Sequence, residues 1–170
     1  MYNLDALLRT GADDHSPMSG SELLERKVAR FVFMGGYFPD SSANPWYIKH
    51  TDGAEWNWWG FGSRDTTSRT LRAITAMGKP VTYIGAEQGV RVLIGKEMAA
   101  RLGRDHPTTE AFLLSQFLTT DDEEPKWERE NPAYDEITLL HVVEDGIGRY
   151  FDQFPGRVTV DRNGANGWRS

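Results

Sequence analysis

The sequence predicts an α/β fold, and three observations carry that prediction. Two short apolar runs, Phe31-Val32-Phe33-Met34 and Val81-Thr82-Tyr83-Ile84, each end in glycine, as do strands buried on both faces of a parallel sheet. Helix-period segments with capping residues lie before each run, which is the alternation of a βαβ unit. The composition is globular, with 39% hydrophobic and 26% charged residues in a chain of 170, a length that fits one domain.

In chain order, Leu4, Leu7 and Leu8 mark a short first helix that runs into a polar loop with Asp13, Asp14, Ser16 and Pro17. Ser19 or Ser21 can cap a second helix over roughly 20–30, where Leu23, Leu24 and Val28 hold core spacing. After the Phe31–Met34 strand, residues 35–63 form a long loop rich in Gly, Pro, Ser and Asn. Six of the residues from 46 to 61 are Trp, Tyr or Phe, which argues against disorder and for a functional loop. Thr66, Thr67 or Ser68 is expected to cap the next helix, which runs to about residue 77 and stops at Gly78 and Pro80. Val81–Ile84 is the second buried strand. Val90–Ile94 is a short apolar run of open type, and helices are expected over roughly 95–103 and 108–119. A charged connector spans 120–132. Ile137, Leu140 and Val143 then mark a helix near 134–144, and Arg157–Asp161 alternates like a half-exposed strand before the Asn163-Gly164 turn signal. No repeat and no domain boundary is visible, so residues 1–170 read as a single domain.

Charge and composition remove several classes. Nineteen Lys and Arg against twenty-five Asp and Glu leave a net charge of −6, without the basic footprint of a nucleic-acid binder. No apolar run is long enough to span a membrane, and no signal-peptide pattern opens the chain, so a cytoplasmic location is expected. With zero cysteines, disulfides, zinc–thiolate sites and thiol catalysis are excluded. The four histidines, His15, His50, His106 and His141, show no metal-ligand spacing.

Ligands in open α/β sheets bind at the carboxyl ends of the strands, which singles out the 35–63 loop and the Gly85-Ala86-Glu87 turn. Within that loop, Glu55 and Asn57 flank Trp56, and in an extended segment both point to one side. A carboxylate beside an amide suits vicinal hydroxyls, and neighbouring aromatics can stack on a sugar or base. The same residues can equally serve local backbone bonding under a hydrophobic cover. Asp135 can cap the 134–144 helix or ligate a metal, and Tyr134 can stand over a pocket.

Taken in order, these segments resemble the inosine–uridine nucleoside hydrolase family. Val32-Phe33-Met34-Gly35-Gly36 resembles its strand-and-turn motif. Ala54-Glu55-Trp56-Asn57 resembles its Glu/Asn ribose motif, and Pro80 through Gly89 its Pro-Val…Gly-x-Glu-x-Gly stretch. Asn131-Pro132-Ala133-Tyr134-Asp135 resembles its late aromatic–Asp motif, and Tyr150 through Trp168 its C-terminal hairpin. The resemblance implies a doubly wound, mostly parallel sheet with flanking helices. It also implies hydrolysis of ribonucleoside N-glycosidic bonds by water activated on one Ca²⁺, a reaction of purine and pyrimidine salvage. On that basis Glu55, Asn57, Asn44 and Glu87 would bind substrate, Asp135 would ligate calcium, and Tyr134 would stand where many members carry a histidine acid. The expected partner is a nucleoside or ribose-like small molecule.

The family's opening Asp-x-Asp-x-x-x-Asp-Asp, which supplies most of the calcium shell and the general base, has no counterpart here. Asp13-Asp14 lacks the preceding Asp-x-Asp, follows no buried strand and reads as a loop pair. The chain is therefore expected to be a truncated nucleoside-hydrolase-like domain without its N-terminal strands. By itself it should be inactive and should not hold calcium tightly. It would either bind ribose-like ligands without turnover or associate, with itself or with a separate N-terminal segment, to cover the apolar edge left by the absent strands.

Overall fold

The computed structural model describes residues 1–38, 64–95, 97–119, 130–144, 150–161 and 166–170. Its internal contacts divide the chain into two compact units, residues 1–87 with 138–170 and residues 88–137.

In the first unit, α1 (Tyr2–Arg9) turns its leucines inward and α2 (Gly20–Lys27) follows a complete capping box. Ser19 Oγ accepts from the Glu22 amide at 3.3 Å, and the Glu22 carboxylate accepts from the Ser19 amide at 2.7 Å, which satisfies two of the helix's orphan donors. Of the two serines expected as caps, Ser19 is the one used. β1 (Phe31–Met34) leads by way of α3 (Arg64–Ala76) to β2 (Val81–Ile84), and the two strands pair in parallel with Phe31 opposite Val81 and Met34 opposite Ile84. This is the expected βαβ unit, and the α/β class holds. The face carrying Phe31, Phe33 and Val81 meets Leu4, Leu7 and Leu8 of α1, Leu24 of α2, and Ile74 of α3 with Met77 just beyond it. Ile74 is fully buried.

α3 departs from expectation at its start. It begins at Arg64, so Thr66, Thr67 and Ser68 lie inside it and are buried instead of capping it. Ser68 Oγ donates to the Asp161 carbonyl at 2.7 Å, a use for a helical hydroxyl that competes with capping. A second polar tie joins the N-terminal helix to α3. Asp5, 3% exposed, accepts from Arg69 Nε at 2.8 Å and Nη2 at 3.0 Å, and also pairs with Arg9. The guanidinium of Arg69 holds the Asp5 carboxyl below its ordinary range.

The second unit is built from smaller pieces. The turn helix α4 (Ala86–Gly89) leads into it. β3 (Leu93–Ile94) is followed by α5 (Met98–Leu102) and α6 (Pro107–Thr119), and then pairs antiparallel with β4 (Asn131–Pro132). The Val90–Ile94 run thus contributes a strand of only two residues, and the helix expected over 95–103 is shorter than its pattern. β4 lies in a segment with no strand signal, since proline removes a ladder donor and is confined to edges and strand starts. α7 (Tyr134–Val143) starts one residue before Asp135, which places that carboxylate inside the first turn and not at the cap. Back in the first unit, β5 (Arg157–Val160) and β6 (Asn166–Arg169) pair antiparallel, and the turn signal at Asn163-Gly164 lies outside the described residues. Among the described residues no helix is long and apolar enough to cross a membrane.

Candidate functional site

Parallel pairing brings the carboxyl ends of β1 and β2 to one rim. Past the strands the backbones stay tied, because the Gly35 amide donates to the Ile84 carbonyl at 3.0 Å and the Ala86 amide to the Gly36 carbonyl at 2.9 Å. Gly36 has φ +81°, a left-handed conformation open to glycine at little cost. A side chain there would also crowd Phe38 and Asn166.

The next two residues are held by side chains from elsewhere in the unit. Asn166, at the start of β6, accepts from the Tyr37 amide at 3.0 Å and donates through its own amide nitrogen to the Tyr37 carbonyl at 2.8 Å. The Phe38 amide donates to Glu87 Oε2 at 3.1 Å. Three consecutive rim residues, Gly36 to Phe38, are therefore fixed by backbone, amide and carboxylate in turn. Beneath them an aromatic row runs along one face of the strands. Phe31 and Phe33 stack at 5.9 Å, Phe33 meets Tyr83 at 5.7 Å, and Tyr83 meets Phe38 at 5.9 Å. Burial among these rings pushes the Tyr83 phenol up to about 12.

Of the residues expected at the site, Glu87 is on this rim, with a carboxylate oxygen on the Phe38 amide. Asn44, Glu55 and Asn57 lie outside the described residues. Tyr134 and Asp135 belong to the second unit. The Tyr134 ring lies directly against Gly89, where any Cβ would collide with it. Partial burial raises the Tyr134 phenol above its usual value. A phenol moved further from neutrality is a poorer proton donor to a leaving base. Asp135 is exposed in the first turn of α7.

Asp13 is committed to its own loop, accepting from the His15 and Ser16 amides at 2.8 and 2.9 Å, in keeping with its reading as a loop residue. Among the described residues no group of three His, Asp or Glu side chains is gathered for a metal ion. Asp135 alone offers too few oxygens for calcium, which takes about six to eight. The described residues therefore do not by themselves fit a calcium cage, and no chemical step is assigned to an ion here.

Asn166 is the rim residue that the sequence did not single out. The one local signal was an asparagine in a strand, a residue type depleted there. Compared with family models, with curated proteins and with solved structures, the chain finds no match in any of the three.

Proposed function

We propose that this chain carries the ribose-recognising portion of a doubly wound, nucleoside-hydrolase-like fold. In the complete protein the reaction is hydrolysis of the ribonucleoside N-glycosidic bond, giving ribose and a free base. The observation that supports this most is the parallel β1–α3–β2 unit with its pinned Gly-rich rim. It occurs at the Met34-Gly35-Gly36 and Gly85-Ala86-Glu87 segments that carry the resemblance, at the strand ends where such folds bind ligands.

On the resemblance, Glu55, Asn57, Asn44 and Glu87 would bind substrate and Tyr134 would stand where many members carry a histidine acid. On the same resemblance Asp135 would be a calcium ligand, with most of the shell belonging to the Asp-x-Asp-x-x-x-Asp-Asp motif that this sequence lacks. A second reading is favoured by the absence of an Asp-x-Asp-x-x-x-Asp-Asp motif from the sequence. The 170-residue chain alone then binds a ribose-bearing ligand without turning it over.

One experiment separates the two. Ribose release from inosine, uridine, adenosine and cytidine is followed with and without EGTA, alongside tryptophan fluorescence, to which four of the six Trp contribute from within residues 46–59. Quenching without ribose release is expected for this chain. Release abolished by EGTA would establish the hydrolase in the chain itself, and release indifferent to EGTA would remove the calcium mechanism. No quenching by any nucleoside or by D-ribose would remove the ribose reading altogether.

A further inference from the structure

The outward side of α7 carries apolar side chains where other helices of the chain carry charge. Its inward side holds Ile137 and His141, both buried. On the outside, Leu139 is 63% exposed and Val143 71%, with Leu140 and Val142 also open to solvent. Helix periodicity puts positions 139, 142 and 143 side by side, with 140 at their edge, so the four form one contiguous patch. By contrast, the exposed positions of α2 are chiefly Glu25, Arg26 and Lys27, and those of α3 include Asp65, Arg69 and Arg72. A helix that is apolar all round is ordinarily covered on every side.

Carboxylates stand at both ends of the patch. Asp135 and Glu136 lie one helical turn before Leu139 and Leu140, and the Glu144 amide donates to the Leu140 carbonyl at 2.9 Å, which carries the helix one residue past Val143. All three carboxylates are exposed, and no ion pair among the described residues involves them. Glu144 also sits at the negative end of the helix dipole, where a cation is favoured and an anion is not. These charges select what can cover the patch. Two copies of the chain meeting through it about a two-fold axis would set acid against acid, with Asp135 and Glu136 facing either Glu144 or their own counterparts. A lipid surface selects Lys and Arg around an apolar helix face, not Asp and Glu.

We propose that the outward face of α7 is a docking surface for a partner protein that presents an apolar segment flanked by lysine or arginine. The partner's apolar side chains cover Leu139, Val142 and Val143, and its cations meet Asp135 and Glu136 at one end and Glu144 at the other. Burial at the centre supplies affinity, while the flanking charges set partner choice and orientation. The inference is independent of the ribose reading.

The test titrates the full chain with an amphipathic helical peptide of Leu and Lys, apolar on one face, and with its Leu–Glu counterpart. Calorimetry reports affinity and methyl NMR reports the site. The Leu–Lys peptide should bind and shift the Leu139, Val142 and Val143 methyl signals, and the Leu–Glu peptide should not. Replacing Leu139→Gln together with Val143→Gln should weaken binding about tenfold. Replacing Glu136→Gln together with Glu144→Gln should weaken it severalfold, with a smaller dependence on salt. Glu25→Gln, which removes an exposed carboxylate on α2, should leave it unaltered. Leu139 and Val143 are exposed, so the melting transition of their double variant should stay in place. Should that variant fail to fold, Leu139→Gln alone must still weaken binding.

Several outcomes overturn the proposal, each in its own way. No binding of the Leu–Lys peptide, or equal binding of the Leu–Glu peptide, shows that the patch does not select a basic partner. Binding that survives the Leu139 and Val143 replacements, or that falls equally with Glu25→Gln, is attraction to the net charge of −6 alone. Self-association in sedimentation that the same double variant abolishes gives the patch to a second copy. Co-sedimentation with phosphatidylcholine vesicles that it abolishes gives the patch to lipid.

Discussion

The two compact units hold themselves together differently. In the first, the parallel strands meet three helices around buried Leu24, Phe31 and Ile74, with partly buried Leu4, Leu7, Leu8, Phe33 and Val81 packed against them, and an ion pair buried at Asp5 ties α1 to α3. In the second, the two strands are two residues long each, and Val92, Leu93, Leu102 and Leu114 are all more than 40% exposed. Among its described residues the buried apolar ones are Leu113, Ala133 and Ile137, one of which offers only a methyl group. Burial of apolar surface is the main favourable term in folding. The first unit therefore carries most of the stability that the described residues can supply, and the second should open at lower cost. The Gly36–Phe38 rim sits in the first unit. Tyr134 sits in the second, where a side chain can more easily be moved.

The comparison breaks most simply at the cores. Ile74→Ala empties a fully buried site on α3 and should cost about 3–5 kcal/mol, whereas Leu113→Ala in α6 should cost about 2 kcal/mol because its surroundings are more open and can relax. Urea unfolding of the two variants checks the ranking, and an equal or reversed order would mean the second unit is the better packed. Hydrogen exchange sharpens the same point, with amides of β1 and β2 expected to outlast those of β3 and β4.

Next in size is the tie at Asp5. Its carboxyl is held below the ordinary value near 4 by the Arg69 guanidinium. The folded form thus stays ionised at a pH where the unfolded chain has taken up a proton. The stabilisation is complete above the unfolded value and is lost as pH falls through the lower, folded one. Asp5→Asn should flatten the acid limb of the stability profile and make α1 more open to limited proteolysis. An unchanged acid limb would show that the pair contributes nothing net, as exposed partners such as Arg9 allow.

Gly89→Ala probes the second unit at one point. The new methyl must displace the Tyr134 ring, with an expected loss of about 1–3 kcal/mol. Because Tyr134 moves, its phenol should become more exposed and titrate closer to the usual value near 10. A Tyr134 titration unaltered by the substitution would show that the ring does not rest on Gly89.

What could be read from the residues follows from how local each signal is. The β1 and β2 runs and the Ser19 cap are each written within a few neighbouring positions, and strands and a cap stand there, although only Phe31 and Ile84 of the two strands are buried and the rest are partly so, short of the burial on both faces that the runs suggest. The start of α3 was misplaced because Thr66, Thr67 and Ser68 are good caps by residue type, and only tertiary burial turns them inward. β4 escaped because a proline argues against a strand, and its pairing partner at Leu93 lies far off in the chain. Asn166 escaped for the same reason of distance, since nothing near it in the sequence names Tyr37. At the candidate site, Glu87 is where the strand-end rule puts it. Its carboxylate, however, is engaged with a backbone amide, a use that the spacing of residues does not express.

The smallest effect expected concerns His141, on the part of α7 that belongs to the first unit. It is 6% exposed, its ring meets Phe151 edge-on at 5.1 Å, and Nδ1 finds no hydrogen-bond partner among the described residues. Burial, and then the nearby Arg30, lower its affinity for a proton. The unfolded chain protonates this histidine near its usual value of about 6.5, and the folded chain only at lower pH. Stability is therefore full above that usual value and declines as pH falls toward the lowered, folded one. His141→Phe keeps an aromatic ring against Phe151 without a titrating group, and should remove this part of the decline while leaving the Asp5 contribution at lower pH intact. Proton NMR of the imidazole resonances makes the check direct, because the His141 resonance should titrate below the usual value of about 6.5 and vanish in the variant. If that resonance instead titrates at or above the usual value of about 6.5, the ring is in contact with water, and α7 is less firmly anchored in the first unit than its burial implies.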